Sequence, residues 1–235
     1  MTIDLQILKT LNGFIADKGF WYHIINAVGN NPLIRGAPIL GCLAIVALSR
    51  PSSLNKSKII LGFIGTFTAL IISVYCQSHL HIHLRPIFDK AVSISPLFDL
   101  PQNIWGTRIY SLPSDTATAF FGISSIIYIQ NKKLGLFCFF WNIFAIGICR
   151  VALGLHYPSD ILTGIILGVT LVFTFTNIKI AQNKIQYLIL NYDTSGHIFN
   201  ILILLFCAET YTLFPGFQAT CNALIFLIKR AVTWL

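Results

Sequence analysis

The chain has 235 residues, of which 55% are hydrophobic and only 10% are charged, and its mean hydropathy is +0.75. A soluble domain carries about 25% charged residues, and several apolar runs here could cross the ~30 Å hydrocarbon core of a membrane. This composition excludes an ordinary soluble domain and predicts an all-α, polytopic membrane helix bundle with about six transmembrane helices.

The net charge of +8 is compatible in principle with a nucleic-acid partner. The basic residues, however, lie in short loops between apolar runs, where they set topology and meet anionic lipid headgroups. We therefore expect the membrane bilayer, and no nucleic acid, as the partner of these charges. The oligomeric state stays open.

The first 33 residues differ from the rest of the chain because apolar and charged residues alternate in them at helical spacing. This pattern is typical of a helix that lies at the membrane interface, although a re-entrant or tilted spanning helix remains open. The sequence thus predicts an interfacial segment at 1–33, a bundle at 34–215 and an apolar tail at 216–235. Whether the tail crosses the membrane is left open.

Apolar runs follow in chain order at 34–49, 58–77, 114–130, 134–153, 159–177 and about 197–215. The loops after the first, third and fifth runs contain Lys and Arg residues that have no evident role other than to lie in a connecting turn. The positive-inside rule therefore places these loops in the cytoplasm. The loops after the second and fourth runs then share the opposite face. They contain Arg85, Arg108 and Arg150 together with most of the histidines.

The break after the fourth run combines Arg150, His156 and Asp160. Pro158 predicts a turn, and a helix should begin near Ser159. Asp160 in the first helical turn can then accept a hydrogen bond from one ring nitrogen of His156, which leaves the other nitrogen free for nucleophilic attack. The alternative is a structural His–Asp bond that holds the loop.

Two further clusters are predicted on the same membrane face. Arg85 and Arg150 each offer a planar fork that matches phosphate oxygens, although a lone arginine at an interface often only snorkels. Ser114, Asp115 and Thr116 open the third run, where free backbone N–H groups favour an anion. Simple capping of the helix by Ser114 is the alternative there.

These clusters, Arg85-Pro86, Pro113-Ser114 and Arg150-x5-His156-x3-Asp160, resemble the type 2 phosphatidic acid phosphatase superfamily of membrane lipid phosphatases, which shares a fold with vanadium haloperoxidases. The resemblance covers about residues 57–177. It implies that Arg85 and Arg150 bind phosphate, that Ser114 binds it by hydroxyl and backbone, that His156 attacks phosphorus, and that Asp160 orients His156.

The sequence departs from the family pattern at two positions. Ser78 stands where the first motif has a lysine, and Thr116 stands where the second motif has the histidine that protonates the leaving oxygen. His79, His81 and His83 lie just beyond Ser78. They could contact phosphate or donate the proton, bind a metal, or be plain interfacial histidines. Asp115 is another possible donor if burial raises its pKa.

The predicted function is hydrolysis of a lipid-linked phosphate or diphosphate at the outer face of a bacterial inner membrane. A phosphate leaving group needs a general acid less than an alkoxide leaving group does. Polyprenyl diphosphate is therefore the first candidate substrate, and lipid A or phosphatidylglycerol phosphate is the second. No metal or other cofactor is expected, because arginines and helix N–H groups supply the charge stabilisation. The alternatives are a non-catalytic lipid-phosphate binder and, with less support, a transporter.

Overall fold

A computed structural model describes residues 3–49, 51–94, 109–193 and 196–211, and these ranges are mostly helical. The helices are α1 (Ile3–Phe14), α2 (Phe20–Asn30), α3 (Pro32–Leu48), α4 (Ser53–His79), α5 (Asp115–Gln130), α6 (Lys132–Asn142), α7 (Cys149–Ala152), α8 (Pro158–Thr176), α9 (Lys179–Tyr192) and α10 (His197–Tyr211). A π-helical turn joins α6 to α7. Arg50, Arg108 and the predicted tail at 216–235 lie outside the described residues.

Helices α3, α4, α5 and α6 each begin after a short polar side chain that caps them. The Asn31 side chain accepts a 2.9 Å hydrogen bond from the backbone N–H of Leu33, and Pro32 takes the first helical position. At α5 the Ser114 hydroxyl accepts from the Ala117 N–H at 3.3 Å, so Ser114 does cap this helix, whether or not it also binds an anion. Each cap satisfies a backbone donor that has no partner inside its helix.

Helix α5 lies in the centre of the bundle and packs against α4, α6 and α8. Residues 116–127 are all buried. Two glycines of α8 form a close contact with α5: a β-carbon at Gly164 would lie 2.6 Å from the Ser114 carbonyl oxygen, and one at Gly168 would collide with the Thr118 carbonyl. The two glycines therefore let the α5 and α8 backbones approach closely directly beneath Ser114.

The chain is a multi-pass membrane protein. Three stretches are long and apolar enough to span: Ser53–His79, Lys132–Ala152 and Pro158–Thr176. The pair α2 and α3, bent by 58°, and the pair α9 and α10, bent by 120°, would bring the number to five. The predicted number of about six stays a prediction.

Contacts between loops show which helix ends lie on the same side as His156. Ser114 at the start of α5 and Arg150 at the end of Lys132–Ala152 both contact His156, so they lie on one side of the membrane. If Lys132–Ala152 spans the membrane, the far end of α5 lies on the other side, and the 16 residues of α5 reach about 24 Å. Asp4 of α1 contacts Ser159 and therefore lies on the His156 side.

Candidate active site

One end of the bundle gathers buried polar residues from three distant parts of the chain. Arg85 comes from the loop after α4, Ser114 caps α5, Arg150 lies in α7, and His156 and Asp160 lie at the entry to α8. Their exposed fractions are between 0% and 5%. Buried polar groups of this kind are costly unless they are paired, so their proximity to each other is central to the site.

The Nε2 atom of His156 is at the centre of the cluster. It lies 3.0 Å from Nη1 of Arg85, 3.3 Å from Nη2 of Arg150 and 3.4 Å from the Ser114 hydroxyl oxygen. A guanidinium group can only donate hydrogen bonds, so Nε2 must be the acceptor. The ring proton of the neutral imidazole is therefore on Nδ1, and the lone pair on Nε2 faces the two arginines.

The opposite nitrogen of His156 faces Asp160. Nδ1 lies 3.7 Å from Oδ2 of Asp160, which is longer than a hydrogen bond, while the same oxygen accepts from the Tyr157 N–H at 2.8 Å. Catalytic hydrogen bonds are often long before substrate binds. The carboxylate is thus held by the backbone in position to stabilise a positive imidazole.

The surroundings of His156 keep its ring neutral. Complete burial and, after it, the positive charge of Arg85 lower the pKa of His156 to about 4, although the nearby Asp160 carboxylate acts in the opposite direction. At neutral pH the Nε2 lone pair is consequently available as a nucleophile.

Backbone contacts hold the loops of the site together. The Arg85 Nη1 group also donates to the Leu155 carbonyl at 3.1 Å, and the Ile87 N–H donates to the Gly154 carbonyl at 3.0 Å. The Ser114 N–H donates to the Asp160 carbonyl at 2.9 Å, which ties the start of α5 to α8. These bonds fix the side chains on rigid elements, as precise chemistry requires.

At the start of α5, the backbone N–H and the hydroxyl of Thr116 both contact the Asp115 side chain. The Asp115 carboxylate accepts from the Thr116 backbone N–H at 2.7 Å and lies 3.3 Å from its hydroxyl. Thr116 is buried, so the position where the family has a histidine is filled by a side chain that already has a local partner. Contact of Asp115 or Thr116 with phosphate stays a prediction.

The auxiliary candidates Ser78, His79 and His83 lie in different surroundings. Ser78 is exposed on α4, and the His79 ring stacks on Tyr75. His83 lies against the site, with its Nδ1 atom 3.5 Å from Oδ1 of Asp160. That contact is on the Nδ1 side of His156, away from the nucleophilic Nε2, so it suits orientation of Asp160 rather than protonation of a leaving group.

A surface depression of about 370 Å³ opens beside Asp160. Its lining residues include His81, His83, Asp89 and Tyr157. The Tyr157 hydroxyl donates to Asp89 at 3.2 Å, and burial together with the Asp89 charge raises the pKa of Tyr157. The depression lies next to the buried cluster and does not contain His156 itself.

Three residues near the site were not anticipated from the sequence. Asp4 accepts a 3.1 Å hydrogen bond from the Ser159 N–H, and the Asn12 amide donates to the Ala152 carbonyl at 3.0 Å, so α1 braces both sides of the His156 loop. The third is Arg35, a buried arginine one turn into α3. A charge inside an apolar run was the available signal for it.

Comparison with known proteins agrees with the resemblance that the sequence motifs indicate. The model of the PAP2 superfamily matches residues 96–184. The chain is 41% identical to the bacitracin transport permease protein BcrC of Bacillus licheniformis over 158 residues, which cover 66% of this chain and 72% of that protein. No solved structure gives a significant match.

Proposed function

Because this chain belongs to the PAP2 superfamily and is in general terms a membrane lipid phosphatase, we propose that it hydrolyses a lipid-linked diphosphate through a phosphohistidine intermediate. Polyprenyl diphosphate is the first candidate substrate; lipid A and phosphatidylglycerol phosphate are the second. The proposed location of the site is the extracytoplasmic face of a bacterial inner membrane.

The observation that carries the proposal is the position of the His156 Nε2 lone pair between Arg85 and Arg150. In the proposed reaction a terminal phosphate enters there, and the guanidinium N–H groups move from the imidazole to the phosphate oxygens. Nε2 then attacks phosphorus. Asp160 stabilises the positive imidazole that forms, and water releases phosphate from the phosphohistidine in a second step.

The leaving group decides between phosphate and diphosphate substrates. General acid catalysis is typically worth about 10²–10⁴-fold, and an alkoxide leaves poorly without it. Thr116 is a poor acid, and His83 is on the Asp160 side of the imidazole. A diphosphate releases a phosphate anion, which needs no proton at the moment of bond cleavage. The absence of the usual acid therefore favours a diphosphate.

The orientation rests on the distribution of lysines. Lys132 and Lys133 are exposed at the end of α5 that is remote from His156, and Lys179 follows α8 at the same end. The positive-inside rule assigns that end to the cytoplasm. The His156 end is then extracytoplasmic.

Phosphate release from purified protein in detergent tests the proposal. The panel contains a prenyl diphosphate, the matching monophosphate, lipid A and phosphatidylglycerol phosphate, each with and without a metal chelator. We expect fastest release from the diphosphate, unchanged by the chelator. His156→Ala should lose at least about 10³-fold in rate. Equal activity of His156→Ala and the parent would refute the mechanism.

Two alternatives are separated by the same assay. A non-catalytic lipid-phosphate binder would bind the diphosphate more weakly after Arg150→Ala but release no phosphate under any condition. The second alternative is transport, since the bacterial relative is named a bacitracin transport permease. We favour hydrolysis because a nucleophilic lone pair among phosphate-binding groups is required for chemistry and not for transport.

A further inference from the structure

Arg35 is a buried cation that the proposed mechanism has not used. It is 2% exposed, and its Nη1 group donates to the Gly29 carbonyl at 2.7 Å. Its Nε–H group has no hydrogen-bond acceptor among the described residues, and the same is true of the Nε–H group of Arg150. Two buried guanidinium groups with unsatisfied donors are unfavourable unless an acceptor joins them.

The packing of α2 and α3 places Arg35 beside two parts of the site. A β-carbon at Gly29 would lie 3.3 Å from Cβ of Cys149, the neighbour of Arg150. A β-carbon at Gly36 would lie 3.4 Å from the Phe120 ring. Phe120 is one helical turn after Thr116 and shares its face of α5. This packing, together with the electrostatic interactions of Arg35 with Arg150 and Asp115, places Arg35 on the side of the site where Thr116 lies.

The charges of the cluster are not balanced. Arg35 interacts electrostatically with Arg150, which is repulsive, and with Asp115, which is attractive. Arg35, Arg85 and Arg150 are all buried, while the acidic groups of the cluster are Asp115 and Asp160. An anion bound between the arginines would relieve the repulsion and accept from the free N–H groups.

We propose that Arg35 is a third phosphate-binding arginine, which supplies the cation absent at Ser78 and holds the leaving phosphate of a diphosphate. This inference rests on the proposed function. The bond from Nε2 of His156 to the terminal phosphorus forms while the bond from that phosphorus to the bridging oxygen breaks. The electron pair stays on the bridging oxygen of the lipid monophosphate, and Arg35 stabilises the added negative charge where other members of the family supply a proton from position 116.

The main test compares leaving groups. The parent, Arg35→Met and Arg35→Lys are assayed on a prenyl diphosphate and on the monophosphate of the same chain length. We expect Arg35→Met to lose about 10²–10³-fold in kcat/KM on the diphosphate and less than about fivefold on the monophosphate. Arg35→Lys keeps the charge without the planar fork and should lose about tenfold on the diphosphate.

Inhibition provides a readout that does not need turnover. Methylenediphosphonate should inhibit the parent more strongly than inorganic phosphate, and Arg35→Met should lose that advantage while its inhibition by phosphate changes little. Trp141→Phe is the control, because it removes the 2.9 Å hydrogen bond from the indole N–H to the Arg35 carbonyl and leaves the Arg35 guanidinium in place. It should retain the discrimination between the two inhibitors.

The outcomes distinguish this inference from the function on which it rests. A parent that releases no phosphate from any substrate overturns the proposed function. An active parent whose Arg35→Met and Arg35→Lys variants keep both the diphosphate rate and the diphosphonate advantage overturns the role of Arg35 alone. Equal losses on both substrates, with inhibition by phosphate weakened in parallel, would make Arg35 a structural residue and also overturn the inference. If Arg35→Met does not fold, Arg35→Lys decides by the same comparison.

Discussion

The two ends of the helix bundle contain basic residues of different kinds in different surroundings. At the His156 end lie Arg35, Arg85 and Arg150, which are the arginines of the described residues, and each is at most 5% exposed. At the remote end Lys132 and Lys133 are exposed next to a tight turn. Burial and the choice of arginine therefore distinguish the candidate binding site from a topology signal, although arginine and lysine count equally toward net charge.

The largest expected effect contrasts Arg150→Ala with Lys133→Ala. Removal of one preorganised donor from a phosphate site costs about 10²–10³-fold in kcat/KM, whereas an exposed lysine at the other end should change activity less than about twofold. Phosphate release by the two purified variants measures the contrast. Equal loss in both would mean that the two ends do not differ in the way proposed.

The second contrast concerns protonation at the buried end. Burial lowers the pKa of His156 to about 4 in the folded protein, compared with about 6.5 in an unfolded chain. Between these values the unfolded state binds more protons, so acidification from pH 6.5 to 4 should remove up to about 3 kcal/mol of stability. The melting temperature of the parent in phosphate-free buffer should fall more steeply than that of His156→Asn. Parallel curves would contradict a buried neutral imidazole.

Packing beneath the site gives the third test. Gly168→Leu should cost about 1–3 kcal/mol, because the new side chain would meet the α5 backbone at Thr118. Gly41 in α3 is the control, since a β-carbon there has no neighbour within 4 Å. Gly41→Leu should leave the melting temperature unchanged or raise it slightly. Similar losses of melting temperature in both variants would mean that the close α5–α8 contact has no special importance for stability.

The smallest effect separates two serines. Ser78→Ala should change phosphate release less than about twofold, because Ser78 is exposed on α4. Ser114→Ala removes both the cap of α5 and a hydroxyl 3.4 Å from the nucleophile, and we expect a loss of about tenfold or more. A large loss of phosphate release in Ser78→Ala would mean that position 78 does contribute to the site.

The core of the site was predictable because each part carries a local chemical signal. His156 and Asp160 flank a proline that starts a helix, and Ser114 is a helix cap before an apolar run. Their convergence on one membrane face followed from loop charges and alternation, without any three-dimensional information.

The remaining features depend on contacts between distant segments. Residues Asp4 and Asn12 contact a loop that lies 155 and 140 residues further along the chain, and no local pattern indicates those partners. Arg35 was missed because residues 34–49 were treated as a plain apolar run, although Asn31 and Pro32 form a helix start just before it. A 58° bend separates α2, which contacts α7 through Gly29, from α3, which contacts α5 through Gly36.

The bond between the Asp4 carboxylate and the Ser159 N–H has a consequence for biosynthesis. Helix α1 leaves the ribosome early, but its partner loop is made only after α7, so the reaction centre cannot be completed until most of the chain has been inserted. Shortened proteins that lack α1 should therefore have an unbraced His156 loop.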